Sequence, residues 1–157
     1  MPVPRVQSAS MRPGNTQHAR ARLIVCERTG KWAVALRRSP QIGSCRVYET
    51  RSPQECRDEV EAFPASLVAI EATTANLDQI LDWLTGMRRD FPLCRVVVLG
   101  YRGLKCSQWL LREAGAAHVV DSPRRVDAVV RIASRQLECA KTEDELTRER
   151  ILARMPW

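Results

Sequence analysis

The chain has 157 residues, 45% of them hydrophobic, 27% charged and 5% aromatic, a balance within the range of one ordinary globular domain. A chain of this size buries about 70% of its unfolded surface, so neither disulfides nor a metal is required to hold a core. No window reaches the ~18 to 20 unbroken apolar residues of a membrane span, and the opening stretch has basic residues but no apolar h-region, so membrane insertion and export are not expected.

Twenty-five Lys and Arg against 18 Asp and Glu leave a formal charge of +7, which invites a nucleic-acid reading. Placement argues against it. Arg5, Arg12, Arg20 and Arg22 lie in or just after the N-terminal stretch, and Arg37-Arg38, Arg88-Arg89 and Arg124-Arg125 fall at expected helix ends, where cations complement the macrodipole. The aromatic interleaving of single-strand binders is missing. The six cysteines, Cys26, Cys45, Cys56, Cys94, Cys106 and Cys139, form no C-x-x-C and have no histidine at a zinc-ligand spacing, so they read as small buried hydrophobes in a reducing cytoplasm.

Residues 1–21 carry Pro2, Pro4, Pro13, Gly14 and many polar residues without an apolar period, and are expected to be a disordered tail. From Arg22, short β-branched runs alternate with amphipathic stretches, the signature of βα units around a parallel sheet. The first strand is Leu23-Ile24-Val25-Cys26, followed by a helix with Trp32, Ala35 and Leu36 on one stripe and Ser39-Pro40 at its end. The second strand is Arg46-Val47-Tyr48-Glu49. Ser52-Pro53-Gln54-Glu55 then combines an N-cap, a first-turn proline and an acid at the third position, a strong helix start. Leu67-Val68-Ala69-Ile70 is the continuous apolar run of a strand buried on both faces and is placed at the centre of the sheet.

The third helix begins at Asn76 and shows Leu77, Ile80, Leu81 and Leu84 on one face before Asp90-Phe91-Pro92 closes it. Val96-Val97-Val98-Leu99 is the fourth strand. Gly100-Tyr101-Arg102-Gly103 turns into a helix carrying Trp109, Leu110 and Leu111, which leaves through Ala114-Gly115-Ala116 with Gly115 as its left-handed cap. Ala117-His118-Val119-Val120 is the fifth strand. A helix follows with Val126, Val129, Val130, Ala133 and Leu137 at helical spacing, and Thr142-Glu143-Asp144-Glu145 reads as a capping box that opens another short helix. The expected domains are thus a tail over 1–21, an α/β domain over 22–138 and a C-terminal helical extension over 139–157. Trp32, Trp83 and Trp109 are expected to fill sheet–helix interfaces. Neither His118 nor His18 in the tail has a partner that would define a catalytic triad.

An open α/β sheet binds ligands outside the carboxyl ends of its strands, near the point where strand order reverses. Those ends carry Cys26-Glu27-Arg28, Glu71-Ala72, Gly100-Tyr101 and Asp121-Ser122-Pro123, and Glu27 and Glu71 are expected to face each other. The βα order, Leu23-Ile24-Val25 before an acidic turn, Leu67-Val68-Ala69-Ile70 before an acid, and Ala114-Gly115-Ala116 spaced ahead of Pro123 resemble the CheY-like receiver domain of bacterial response regulators. The resemblance covers Arg22 to Leu137. It implies a three-layer sandwich with a five-stranded parallel sheet in order 2-1-3-4-5, the flavodoxin/CheY-like arrangement.

In active receivers an aspartate after the third strand takes the phosphoryl group, an acid pair after the first strand holds Mg²⁺, and a hydroxyl and a lysine after the fourth and fifth strands contact the phosphoryl oxygens. Carried over by position, the acid pair falls on Cys26 and Glu27, the phosphoacceptor on Glu71, the hydroxyl on Gly100 and the lysine on Ser122. Mg²⁺ demands oxygen ligands, and the sulfur of Cys26 is a poor one, so no cofactor and at most weak Mg²⁺ binding are expected. The resemblance therefore implies a degenerate site and a non-enzymatic, cytoplasmic pseudo-receiver that acts in two-component-type signal transduction through a protein partner, docked on the face built from the fourth helix, fifth strand and fifth helix. A homodimer through the fourth helix, fifth strand and fifth helix is a further expectation from the family. Two other readings stand beside it. One is a nucleotide or other phosphorylated small ligand held at the strand ends by Arg28, Arg102 and the turn at Gly100. The other is weak nucleic-acid association through the basic tail.

Overall fold

The computed structural model describes residues 21–43 and 45–155. The expected disordered tail, apart from Ala21, and Trp157 lie outside the described residues. Five parallel strands, β1 (Leu23–Cys26), β2 (Val47–Thr50), β3 (Leu67–Glu71), β4 (Arg95–Leu99) and β5 (Ala116–Val120), form one sheet in the order β2-β1-β3-β4-β5. The helices are α1 (Lys31–Arg38), α2 (Pro53–Ala62), α3 (Leu77–Asp90), α4 (Gln108–Glu113) and α5 (Asp127–Arg154), with 3-10 turns over Arg102–Ser107 and Pro123–Arg125. This is the expected three-layer arrangement.

The alternation of side chains along each strand builds two separate cores. Ile24, Val68, Ile70, Val96 and Val98 point to one face and meet Cys56, Val60, Ile80, Leu84, Met87 and Leu111 of α2, α3 and α4. Leu23, Val25, Leu67, Ala69, Val97 and Leu99 point to the other and meet Trp32, Ala33, Leu36, Val126, Val129, Val130 and Ala133 from the α1 and α5 side. The central strands β1 and β3 are buried on both faces, which is why they read as unbroken apolar runs. Register at the switch point is Leu23 opposite Leu67 and Cys26 opposite Ile70, so the ends of β1 and β3 lie level.

Local signals account for most boundaries. Ser52 Oγ accepts the Glu55 backbone N–H at 3.2 Å, Pro53 opens α2, and the Glu55 carboxylate accepts the Arg51 backbone N–H at 2.8 Å. Gly30, at φ +80°, makes the left-handed step into α1 that a β-carbon would strain. Arg22 enters β1 with its guanidinium 3.4 Å from the Phe63 ring centre and 4.1 Å from that of Tyr48, while pairing with Glu59 at 2.9 Å.

Two expectations need correction. The helix carrying Trp109, Leu110 and Leu111 turns only Leu111 into the core, and Trp109 is 65% exposed. The chain winds as a 3-10 helix over Arg102–Ser107, with three residues per turn, so Leu104 takes the core position and the phase of α4 is shifted. The C-terminal extension is helical, but it is not a separate short helix. Asp127–Arg154 is one helix of 28 residues, because no glycine or proline interrupts it and its residues between Lys141 and Arg154 are mostly strong helix formers. The fifth strand also begins one residue early, with a register irregularity between Val96 and Val97 that sets Ala116 opposite Val96 and His118 opposite Val97.

The cap on α2 yields a test. Ser52→Ala removes the acceptor of the Glu55 N–H and is expected to lower stability by about 1 kcal/mol, read as a lower urea midpoint at unchanged slope.

Candidate functional site

The strand order reverses between β1 and β3, and the residues that leave those two strands define the site. Cys26 and Glu27 are consecutive, so they point to opposite faces of the sheet. Cys26 turns toward α2 and is buried in the same core cluster as Cys56. The neighbouring Cys56 side chain draws the Cys26 thiol below its ordinary pKa, while Cys26 and burial push Cys56 up.

Glu27 turns the other way, toward α1, and is 2% exposed. Its two carboxylate oxygens accept the backbone N–H groups of Trp32 at 2.9 Å and Ala33 at 2.6 Å. Gly30, at the N-cap of α1, has no side chain to do this, so Glu27 supplies the charge-assisted cap from outside the helix. The Arg51 guanidinium donates to the Glu27 backbone carbonyl at 3.3 Å and to the Glu49 carboxylate at 2.8 Å, which places a fixed cation beside the end of β1.

Glu71 is half-buried at the end of β3 and is also engaged. One carboxylate oxygen accepts the Arg28 backbone N–H at 3.2 Å, and the other accepts the Tyr101 hydroxyl at 3.2 Å. The turn behind it is held by Asn76, whose Oδ1 accepts from the Thr73 N–H at 2.7 Å and whose amide donates to the Glu71 carbonyl at 3.4 Å. Glu27 and Glu71 therefore take separate partners rather than face each other. Tyr101 packs against the Trp32 ring at 5.8 Å between centres, inclined by 55°. Burial, and then the Glu71 charge beside it, hold its phenol above the usual pKa.

Gly100 and Ser122 complete the set. Gly100 is buried and donates to the Val120 carbonyl at 2.7 Å. A β-carbon there would stand 3.0 Å from Leu104 Cδ1, and Leu104 is itself 2% exposed, so a larger residue must displace core packing. Ser122 Oγ accepts the Arg124 N–H at 3.3 Å and starts the 3-10 turn Pro123–Arg125. Of the two expected anion contacts, Arg28 joins the site through its backbone N–H and keeps an exposed side chain, and Arg102 is exposed at the head of the 3-10 helix. Among the described residues no three His, Cys, Asp or Glu side chains converge as a metal site, and no helix is long and apolar enough to cross a membrane.

This architecture recurs in solved structures. The signal receiver domain of a Luxo repressor protein from Vibrio parahaemolyticus superposes with a TM-score of 0.61 at 17% identity, covering 81% of this chain and 97% of that one. The CheY-like protein tadZ from Pseudomonas aeruginosa gives 0.58 at 15% identity over 72% and 92%. A pilus assembly-related protein from Burkholderia pseudomallei gives 0.55 at 20% identity over 75% and 91%. The fold is that of a CheY-like receiver domain. No protein-family model matches the sequence, and no curated protein matches it.

The ends of β1, β3 and β4 carry Glu27, Glu71 and Tyr101 to the same end of the sheet, where Tyr101 bridges Glu71 and the Trp32 ring. Sequence reasoning places Tyr101 at a strand end without giving it a role, and it misses Arg51. Tyr101 carries a signal, since it follows the strand-end residue Gly100. Arg51 carries none beyond standing before the Ser52 cap.

Two outcomes test this geometry. Glu27→Ala strands two helix N–H donors and is expected to cost on the order of 2 to 3 kcal/mol by urea denaturation, with Glu27→Gln intermediate because it keeps one acceptor. In a Tyr48→Phe background, Glu71→Gln is expected to lower the pKa of Tyr101, because removing a carboxylate charge favours the phenolate; ultraviolet difference titration reads the shift directly.

Proposed function

We propose that this chain is a non-phosphorylatable pseudo-receiver, a non-enzymatic cytoplasmic module that regulates by contact with a protein partner. The observation that carries the reading is the engagement of both carboxylates. Glu27 caps α1 from inside the protein, and Glu71 is held by Arg28 and Tyr101. A metal centre needs oxygen ligands with free lone pairs in near-octahedral array, whereas here one acid is spent on amides and its neighbour is a buried thiol facing the other core. The guanidinium of Arg51 adds a repulsive charge at the same strand end.

Phosphoryl transfer also needs cations and donors at the oxygens where charge develops, usually the largest single term in such catalysis. The position of the hydroxyl is Gly100, closed by Leu104, and the position of the lysine is Ser122, committed to its own turn. The resting contacts of Glu71 support a module held in one arrangement of the loop after β3, so the partner rather than a phosphoryl group sets its state. A phosphorylated ligand at these strand ends is disfavoured, since it would meet the Glu71 carboxylate.

Acetyl phosphate labelling followed by intact-mass measurement, in parallel with an NMR titration with Mg²⁺ and beryllofluoride, tests the reading. The expected result is no mass gain and no saturable shift at Glu27, Glu71 or Tyr101. An acid-stable phosphoryl adduct, or saturable shifts centred on Glu71, would overturn it.

A further inference from the structure

Helix α5 reaches the entry end of the sheet well before it stops. The Gln136 side chain donates to the carbonyls of Ala65 at 3.1 Å and Leu93 at 2.9 Å, in the turns that lead into β3 and β4. Ala140 still packs as core, and the helix then runs on to Arg154 with every described side chain exposed. At 3.6 residues per turn, Ile151 stands about three turns beyond Ala140 on the same face, and Met155 about one turn further. They are 54% and 52% exposed. The stripe that seats α5 on the sheet thus continues onto an overhang where no described residue covers it.

At the foot of this overhang, by the entry ends of β1 and β2, lies an open groove of about 930 Å³. Ile42, Tyr48, Phe63 and Leu137 give it apolar walls, and α5 adds Glu138 and Lys141. Because α5 has no break, its tip cannot turn back to the groove below it. The apolar tip and the apolar groove of this chain can therefore meet only between two copies.

Charge order along the overhang fixes the direction of that meeting. Residues 138–146 hold Glu138, Glu143, Asp144 and Glu145, with Lys141 as their one cation, whereas residues 147–155 hold Arg148, Arg150 and Arg154, with Glu149 as their one acid. Two parallel copies would set like charge beside like. An antiparallel pair crossing near Thr147 and Arg148 instead sets each acidic run level with the arginines of the other copy. The same crossing brings each tip level with the other copy's Ala140, at the groove.

We propose that the chain forms an antiparallel two-fold dimer through the overhang of α5, with Ile151, Leu152 and Met155 of each copy packed against the groove of the other. Such a contact is closed and self-complementary, since tip meets groove twice about one axis. An unrelated helix could fill the groove but would leave the tip and its charge order unused. Neither the strand-end acids nor α4 and β5 contribute, so the dimer stands or falls apart from the function proposed above.

Sedimentation equilibrium of the full chain at concentrations up to ~100 μM is the first test, a range that resolves a micromolar dissociation constant. A monomer and dimer in equilibrium are expected, with the dimer weakened by salt. Ile151→Asp/Met155→Asp puts unpaired charge into the contact and is expected to weaken dimerisation by about tenfold or more. Far-UV circular dichroism and the urea midpoint verify that this variant keeps the folded domain. The direction is read by NMR on a mixture of an isotopically labelled chain with an unlabelled Cys106→Ser/Cys139→Ser/Ala153→Cys chain that carries a spin label. Broadening is expected at Ile42, Leu137 and Lys141 of the isotopically labelled copy. Three results overturn the proposal: a monomer throughout, a dimer that the Ile151 and Met155 substitutions leave intact, or broadening confined to the other copy's tip.

Discussion

A single buried carboxylate orders the functional end of this protein. Helix α1 starts from a glycine and has no capping side chain of its own, so its first amides depend on Glu27 reaching across from the end of β1. That bond fixes where Trp32 sits, Trp32 forms the surface on which Tyr101 lies, and Tyr101 in turn donates to Glu71. This end of the sheet is therefore organised from the inside outward. A residue that could serve as a metal ligand in the receiver arrangement serves here as a joint between strand and helix, and the two uses compete for the same lone pairs.

The split of charge over the molecule follows from the same economy. At the switch point Glu27, Glu49 and Glu71 each have a partner within the protein. Along β5 and the start of α5 the cations outnumber the acids that could neutralise them. A net formal charge of +7 is thus not evenly spread, and its local surplus matters more for recognition than the total.

Much of this was legible before any coordinates. Two apolar runs long enough for strands and lacking alternation, Leu23 to Cys26 and Leu67 to Ile70, announce a sheet covered on both sides, and Ser52-Pro53 marks a helix start through local chemistry alone. The failures share a cause. Helical spacing points Trp109 to the core, and that spacing loses meaning once the preceding turn winds at three residues per turn. Thr142-Glu143-Asp144-Glu145 has the composition of a cap, yet a cap acts only where the chain bends, and a bend is a tertiary fact. Glu27 was correctly placed at the strand end, but its direction depends on the pleat, and its partner depends on Gly30 lacking a side chain. Sequence locates such a residue without saying which way it faces.

The uninterrupted run of α5 has a mechanical side. Among the described side chains of α5, Ala140 is the last that packs as core, and about 14 residues of the helix follow it, roughly 21 Å at 1.5 Å per residue. Ile151, Leu152 and Met155 are exposed near its far end. Because no hinge divides this segment from the part seated on the sheet, the two move as one lever. A tilt of about 10° where Val129 and Val130 meet the strands sweeps the tip, roughly 36 Å further along the rod at 1.5 Å per residue, through roughly 6 Å. Displacements too small to alter packing at the sheet thus become large on the scale of a side-chain contact at the tip.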